Sequence, residues 1–183
     1  FNFGEIKNKR NLSPVPTFLF FGRIVKYKGL HLFLKALEIF NNYKDKPDYK
    51  VIIAGEGQIE DDEMNIIKKI NKDKNKINLI NKYIEEKDIE SIWNMSDIAI
   101  ISYIEASQSG IVALSINKAM PSIITPIKEL IDQCEANSIN NSFVLISRDM
   151  TPESFSEKML EILNEDLYEK KRLLRSIRRI LGI

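Results

Sequence analysis

Two cations stand five residues apart at the exit of an apolar run. In FLFFGRIVKYKG, Phe18 to Gly29, the run stops at Gly22, Arg23 follows at once, and Lys28 arrives together with a glycine. Arginine offers a phosphate a planar fork and lysine offers it a point charge, so the pair suits an anionic ligand. A second segment, EASQSGIVALSIN, sets Glu105, Ser107, Gln108 and Ser109 before Gly110, where a helical pattern begins. The first amides of a helix lack intrahelical acceptors and lie at the positive end of its dipole, an arrangement that favours phosphate. If the two segments meet, the hole between them is shaped for a diphosphate. Each feature also has a plainer reading: Lys28 as a solvated first-turn residue, Ser107 and Ser109 as helix N-caps, and the glycines of IAGEGQ (Gly55 and Gly57) as turn residues.

The remaining reactive side chains are few. His31, the single histidine, sits one position off an apolar helical stripe and reads as a surface or boundary residue rather than a general base. Cys134, the single cysteine, has no activating base near it in sequence and reads as inert. One of each excludes an intramolecular disulfide and a His/Cys zinc cluster, and fits a reducing compartment. Trp93 and Tyr83 read as packing residues, although Tyr83, in a loop, could line a base pocket.

Composition narrows the classes further. With 27 Lys plus Arg against 26 Asp plus Glu in 183 residues, there is no global field to attract nucleic acid or a membrane surface, so an anion site must be local. The most basic piece, KKRLLRSIRRI, carries Lys170, Lys171, Arg172, Arg175, Arg178 and Arg179 around an apolar stripe and reads as the wet face of a terminal helix. No apolar run approaches the ~20 residues of a membrane span, and FNFGEIKNKR lacks the order of a signal peptide. The expected location is cytoplasmic. The absence of an initiator methionine and the polar NLSPVP opening read as part of a longer chain, which gives residues 1–16 as a linker and 17–183 as one domain.

Several elements must place these residues. Short apolar runs at Thr17–Gly22, Tyr49–Ala54, Ile77–Ile80, Ile98–Ser102, Ser122–Thr125 and Phe143–Ile146 alternate with segments of helical period. That alternation predicts an α/β fold, a Rossmann-like doubly wound parallel sheet of about six strands with helices on both faces. In GLHLFLKALEIFNNY, Leu30, Phe33, Leu34, Leu37 and Phe40 recur at spacings of three or four, one stripe for packing on the sheet. Further helices are expected at Ile59–Asn71, Asp88–Asn94, Gly110–Lys118, Pro152–Leu163 and Asp166–Leu181. Open parallel sheets bind ligands beyond the carboxyl ends of their strands. Gly22 with Arg23, Gly55 to Gly57, and Glu105 to Gly110 all fall there.

Taken together, these segments resemble the C-terminal, donor-binding half of a GT-B glycosyltransferase, most similar to glycosyltransferase family 4 (group 1). FFGRIVKYKG is similar to that family's G-R-x4-K-G signature, YKVIIAGEGQ to its V-x-x-G-x-G turn, and MSDIAIISYIEASQSGIVALSINKAMPSIITP to its donor loop and following strand. The resemblance covers roughly residues 18–146. It implies a retaining transferase that moves a sugar from a nucleotide-diphosphate sugar to an acceptor hydroxyl, without a metal or other cofactor, and no Asp-x-Asp motif occurs in the chain. It implies that Arg23 and Lys28 hold the diphosphate and stabilise the leaving charge beside Gly22. The backbone amides of Gly110, Ile111 and Val112 would face the phosphates, Tyr83 and Ile84 the base, and Glu56 the nucleoside.

The acceptor and its base would come from an N-terminal domain outside the chain, so the isolated domain is expected to bind a nucleotide without turnover. Family analogy also suggests bacterial surface-polysaccharide synthesis, with peripheral membrane association of the full-length enzyme. The chain departs from the family pattern in places. Ser107 and Ser115 stand where the family has two glutamates, leaving Glu105 as the nearby carboxylate, and Lys128 and Glu129 replace a Gly-Gly pair in TPIKELID, with Asp132 at the next acidic position. Those departures keep a degenerate nucleotide-sugar-binding module as an alternative. A different doubly wound protein, such as a sugar epimerase half or a response-type regulator, is a second alternative. A regulator should carry an acidic cluster at the end of its first strand, where Arg23 stands.

Overall fold

The computed structural model describes residues 15–72, 74–136 and 144–163. Six strands form one parallel sheet: β1 (Thr17–Phe21), β2 (Lys50–Ala54), β3 (Ile77–Ile80), β4 (Ile98–Ile101), β5 (Ser122–Ile124) and β6 (Val144–Ile146). Their spatial order is β3-β2-β1-β4-β5-β6, so the chain winds outward from β1 to one edge, returns to its other side and winds outward again. That reversal at β1 and β4 is the topological switch point where open α/β sheets bind ligands. It also separates this fold from the regulator type, whose order is 2-1-3-4-5.

Side-chain alternation gives each strand two inner faces. Phe18 and Phe20 of β1, with Val51 and Ile53 of β2, join one buried cluster with α1 (Leu30–Asn41), α2 (Asp61–Asn71) and α6 (Pro152–Ile162). Leu19, Ile52, Ala54 and Ala99 face the other way, against Ile92 and Trp93 of α3 (Glu86–Asn94). A third cluster joins Ile101 and Ile124 to α4 (Gly110–Asn117) and α5 (Lys128–Ala136) through Val112, Leu130 and Cys134. The five stripe residues of α1 are all buried. Each such side chain contributes roughly 1.5–3 kcal/mol on burial, enough to fix the helix on the sheet.

Several predicted boundaries shift, and each shift has a local cause. Helix α2 starts at Asp61 rather than Ile59, because the Glu60 amide donates to the Glu63 carboxylate at 2.9 Å and closes a capping box. Helix α3 starts two residues earlier than expected, at Glu86, with Glu85 as its extended N-cap. Helix α5 was not expected at all. Its apolar positions, Leu130, Ile131, Cys134 and the terminal Ala136, sit among Lys128, Glu129, Asp132 and Glu135, and TPIKELID reads as a loop until tertiary packing buries Leu130. The expected terminal helix, Asp166–Leu181, and all but the last two residues of the expected linker lie outside the described residues.

Candidate active site

The site begins with the path of the chain after β1. Gly22 has φ +104°, a conformation open to glycine but costly for other residues, and its amide donates to the Ala54 carbonyl at 2.9 Å. Ile24 then donates to the Glu56 carbonyl at 2.8 Å and pairs with Gly57, so the exits of β1 and β2 run side by side. Asn81, after β3, grips Gly57 through both amide groups, at 3.1 and 3.0 Å. Sequence reasoning missed this clamp.

A 3-10 turn over Lys26–Lys28 ends at Gly29, in the left-handed region at φ 69° and ψ 37°. An ideal Cβ on Gly29 would lie 1.8 Å from the Ser102 carbonyl oxygen, and the Ser102 hydroxyl donates to the Gly29 carbonyl at 2.9 Å. The exits of β1 and β4 are thereby pinned together, which delivers Lys28 to the switch point. Its ammonium donates to the Tyr103 hydroxyl at 2.9 Å and lies 5.0 Å from the centroid of that ring. The Ser109 hydroxyl donates to the same phenol oxygen at 3.2 Å, and in turn accepts the Val112 amide at 3.2 Å. A Cβ on Gly22 would fall 3.0 Å from the Lys28 Nζ and 3.6 Å from the Ile111 Cδ1. The ammonium therefore sits over Gly22, beside the first turn of α4.

The structure brings together Gly22, Lys28, Ser109, Gly110, Ile111 and Val112, but it changes two expected roles. Ser109 is the N-cap of α4 and occupies the Val112 amide, so the amides of Gly110 and Ile111 remain as the orphans of the first turn. Gly110 is exposed, with nothing within 4 Å of where its Cβ would stand. Ser115 is buried and its hydroxyl reaches the carbonyls of Ile111 and Val112 at 2.7 and 3.0 Å, so it serves its own helix rather than a ligand. A serine in mid-helix commonly bonds back in this way.

The other expected residues follow the ends of the strands or stand on α5. Arg23 is exposed one position beyond Gly22, and among the described residues it forms no hydrogen bond or ion pair. Glu56, Glu105, Ser107 and Gln108 are exposed on the same strand edge. Tyr83 is 72% exposed after β3, while Ile84 packs against the α3 side of the sheet. Lys128 and Asp132 form an exposed ion pair that raises the lysine pKa, and Glu129 is exposed beside them on α5. Burial pushes the Cys134 thiol up, away from reactive thiolate, and His31 is exposed on the rim of a cavity of about 590 Å³ between the mouths of α1 and α2.

Two residues of the site were not anticipated. Tyr103 is buried two positions beyond β4, and its edge location was the one sequence signal it carried. Gln133 of α5 accepts the Ser109 amide at 3.0 Å and donates to the Ser109 carbonyl at 2.9 Å, tying the donor loop to an element 24 residues away. Among the described residues, no three of His, Cys, Asp and Glu gather as a metal site would require, and no helix is long and apolar enough to cross a membrane.

A six-stranded, doubly wound parallel sheet with a cation, a glycine exit and a helix start at its switch point defines a Rossmann-like α/β domain of the kind that forms half of a GT-B enzyme. The chain belongs to the glycosyl transferases group 1 family, whose model matches residues 2–178. Solved structures share the fold. The N-terminal domain of the Candida albicans trehalose-6-phosphate phosphatase superposes with a TM-score of 0.71 at 14% identity, over 92% of this chain and 38% of that one. A glycosyltransferase from Rickettsia africae ESF-5 gives 0.65 at 22% identity, over 90% and 42%. The catalytic domain of Arabidopsis thaliana starch synthase IV, solved with ADP and acarbose, gives 0.62 at 19% identity, over 88% and 34%. The chain thus spans about two fifths of the length of these structures. No curated protein matches it.

Proposed function

We propose that this domain binds the donor of a retaining glycosyltransferase, holding a nucleotide-diphosphate sugar while the sugar passes to an acceptor hydroxyl supplied from a second domain. The observation that carries this reading is the Lys28 ammonium held against the first turn of α4, over a glycine exit. As the bond from the anomeric carbon to the diphosphate breaks, negative charge grows on the leaving phosphate. A fixed cation and two orphan amides neutralise it where it develops, without reorganising. Arg23, exposed one residue after Gly22 and unpaired among the described residues, has a guanidinium suited to a bidentate contact with the same diphosphate. Tyr83 offers a flat exposed ring to the base, and Glu56 a carboxylate to the nucleoside. The chemistry assigned to these residues calls for no metal. That the neighbouring starch synthase was solved with ADP supports a nucleoside diphosphate as the first ligand to try. A polysaccharide pathway on the cytoplasmic side of a bacterial membrane is the setting we propose for the full-length enzyme.

Calorimetry with a panel of nucleoside diphosphates tests the reading. One of them should bind, and Lys28→Ala and Arg23→Ala should each lose about tenfold to a hundredfold in affinity, as expected for charge-assisted hydrogen bonds to phosphate. A second reading, a degenerate module, is favoured by the inward turn of the Ser115 hydroxyl, at a position where the family pattern has a glutamate. It expects no binding to any of the panel.

A further inference from the structure

We infer that Tyr103 is a positioning residue of this site: its buried phenol oxygen holds the Lys28 ammonium at the point where the diphosphate would lie. The inference rests on the donor-site reading and adds to it a residue that no motif marks. A lysine on a flexible four-carbon stem would otherwise sample many rotamers, and ordering it on binding costs affinity. Here the order exists beforehand. The Tyr103 oxygen accepts from Lys28 at 2.9 Å and from Ser109 at 3.2 Å, and Ser109 accepts from the Val112 amide, so one hydroxyl links the cation to the cap of α4.

The ring itself is fixed by packing. It meets Tyr27 edge-on at 6.2 Å between centroids, and the Tyr103 carbonyl accepts the Thr125 hydroxyl at 2.6 Å. Neither contact needs the phenol oxygen. With two hydrogen bonds accepted, from Lys28 and from Ser109, that oxygen has both lone pairs occupied, so it acts by holding its donors.

The test uses the 183-residue chain and two readouts. Trace labelling with acetic anhydride, followed by mass spectrometry, compares Lys28 with the exposed Lys26 in the absence of any nucleotide. Lys28 should label several-fold more slowly in the parent and approach Lys26 in Tyr103→Phe; equal rates in both chains overturn the proposal. Titration with inorganic pyrophosphate and the nucleoside diphosphates then compares Tyr103→Phe in two backgrounds. It should weaken binding about tenfold in the parent and leave it unchanged in Lys28→Met, since the tyrosine acts through the lysine. An equal loss in both backgrounds would mean a direct contact or a structural role, and would overturn the assignment. A Tyr103→Phe chain that fails to fold overturns it as well, because the hydroxyl would then be structural. If Lys28 is held as expected but the parent binds no diphosphate, the donor-site reading fails and the tether alone stands.

Discussion

Lys28 reaches the switch point only because the residue after it is a glycine. At Gly29 the left-handed backbone and the Ser102 carbonyl, 1.8 Å from where a Cβ would stand, leave no room for a side chain. Gly29→Ala should cost more than about 2 kcal/mol of stability, read as a lower urea midpoint, since strain and steric clash add. Ser115→Ala should behave in the opposite way at the site. Its hydroxyl serves two carbonyls of its own helix, so nucleoside diphosphate affinity should stay within twofold of the parent by calorimetry. A larger loss would mean that the hydroxyl turns toward the ligand. The meeting of Lys28, Gly22 and the start of α4 was legible in the sequence because residue type and spacing announce a cation, a glycine exit and a helix start at strand ends. Tyr103 and Gln133 were not, because their roles come from contacts made through space across 75 and 24 positions.

At the scale of elements, all six strands were legible, since each is a compact apolar run bounded by polar or turn residues, and α1 was legible from its stripe. The exception, α5, shows what periodicity cannot see. Nine residues with four apolar positions, one of them the terminal Ala136, do not announce a helix until the sheet face and α4 supply the other half of the core. That helix holds the donor loop through Gln133, so its seating bears on the site. Leu130 is fully buried, and Leu130→Ala should cost about 2–5 kcal/mol by urea denaturation. Because the Ser109 backbone loses a firm anchor, diphosphate binding should weaken in the same variant at temperatures where it is still folded.

For the molecule as a whole, alkaline pH offers a probe well away from the site. Burial pushes the Tyr49 phenol up to about 12, against about 10 in the unfolded chain. Between those two values the unfolded state releases the proton while the folded state keeps it, so stability falls as pH rises from 10 to 12. The expected loss is roughly 2–3 kcal/mol, on the rule that one pKa unit is worth about 1.4 kcal/mol. Urea midpoints across that range measure the fall, and Tyr49→Phe should flatten it. A parent and a variant that decline equally would assign the loss to other groups.

The central place of β1 has a consequence for synthesis. Its first residue exchanges two hydrogen bonds with Asp97, the Thr17 amide to the carboxylate and the Asp97 amide to the Thr17 carbonyl, both at 2.9 Å. A nascent chain that has left the ribosome only as far as Asn94 holds β1, β2 and β3 with one flank of β1 open. Phe18 and Phe20 then lack Ile98 and Ile100 beside them, and the crevice has one wall. Translation must carry the chain past β4 before both flanks of β1 are covered, and past Ser109 before the Lys28 ammonium and the cap of α4 share the Tyr103 hydroxyl. It must pass α6 before Phe155, Met159 and Ile162 complete the cluster on Phe18 and Phe20, so the site is assembled before the core is closed.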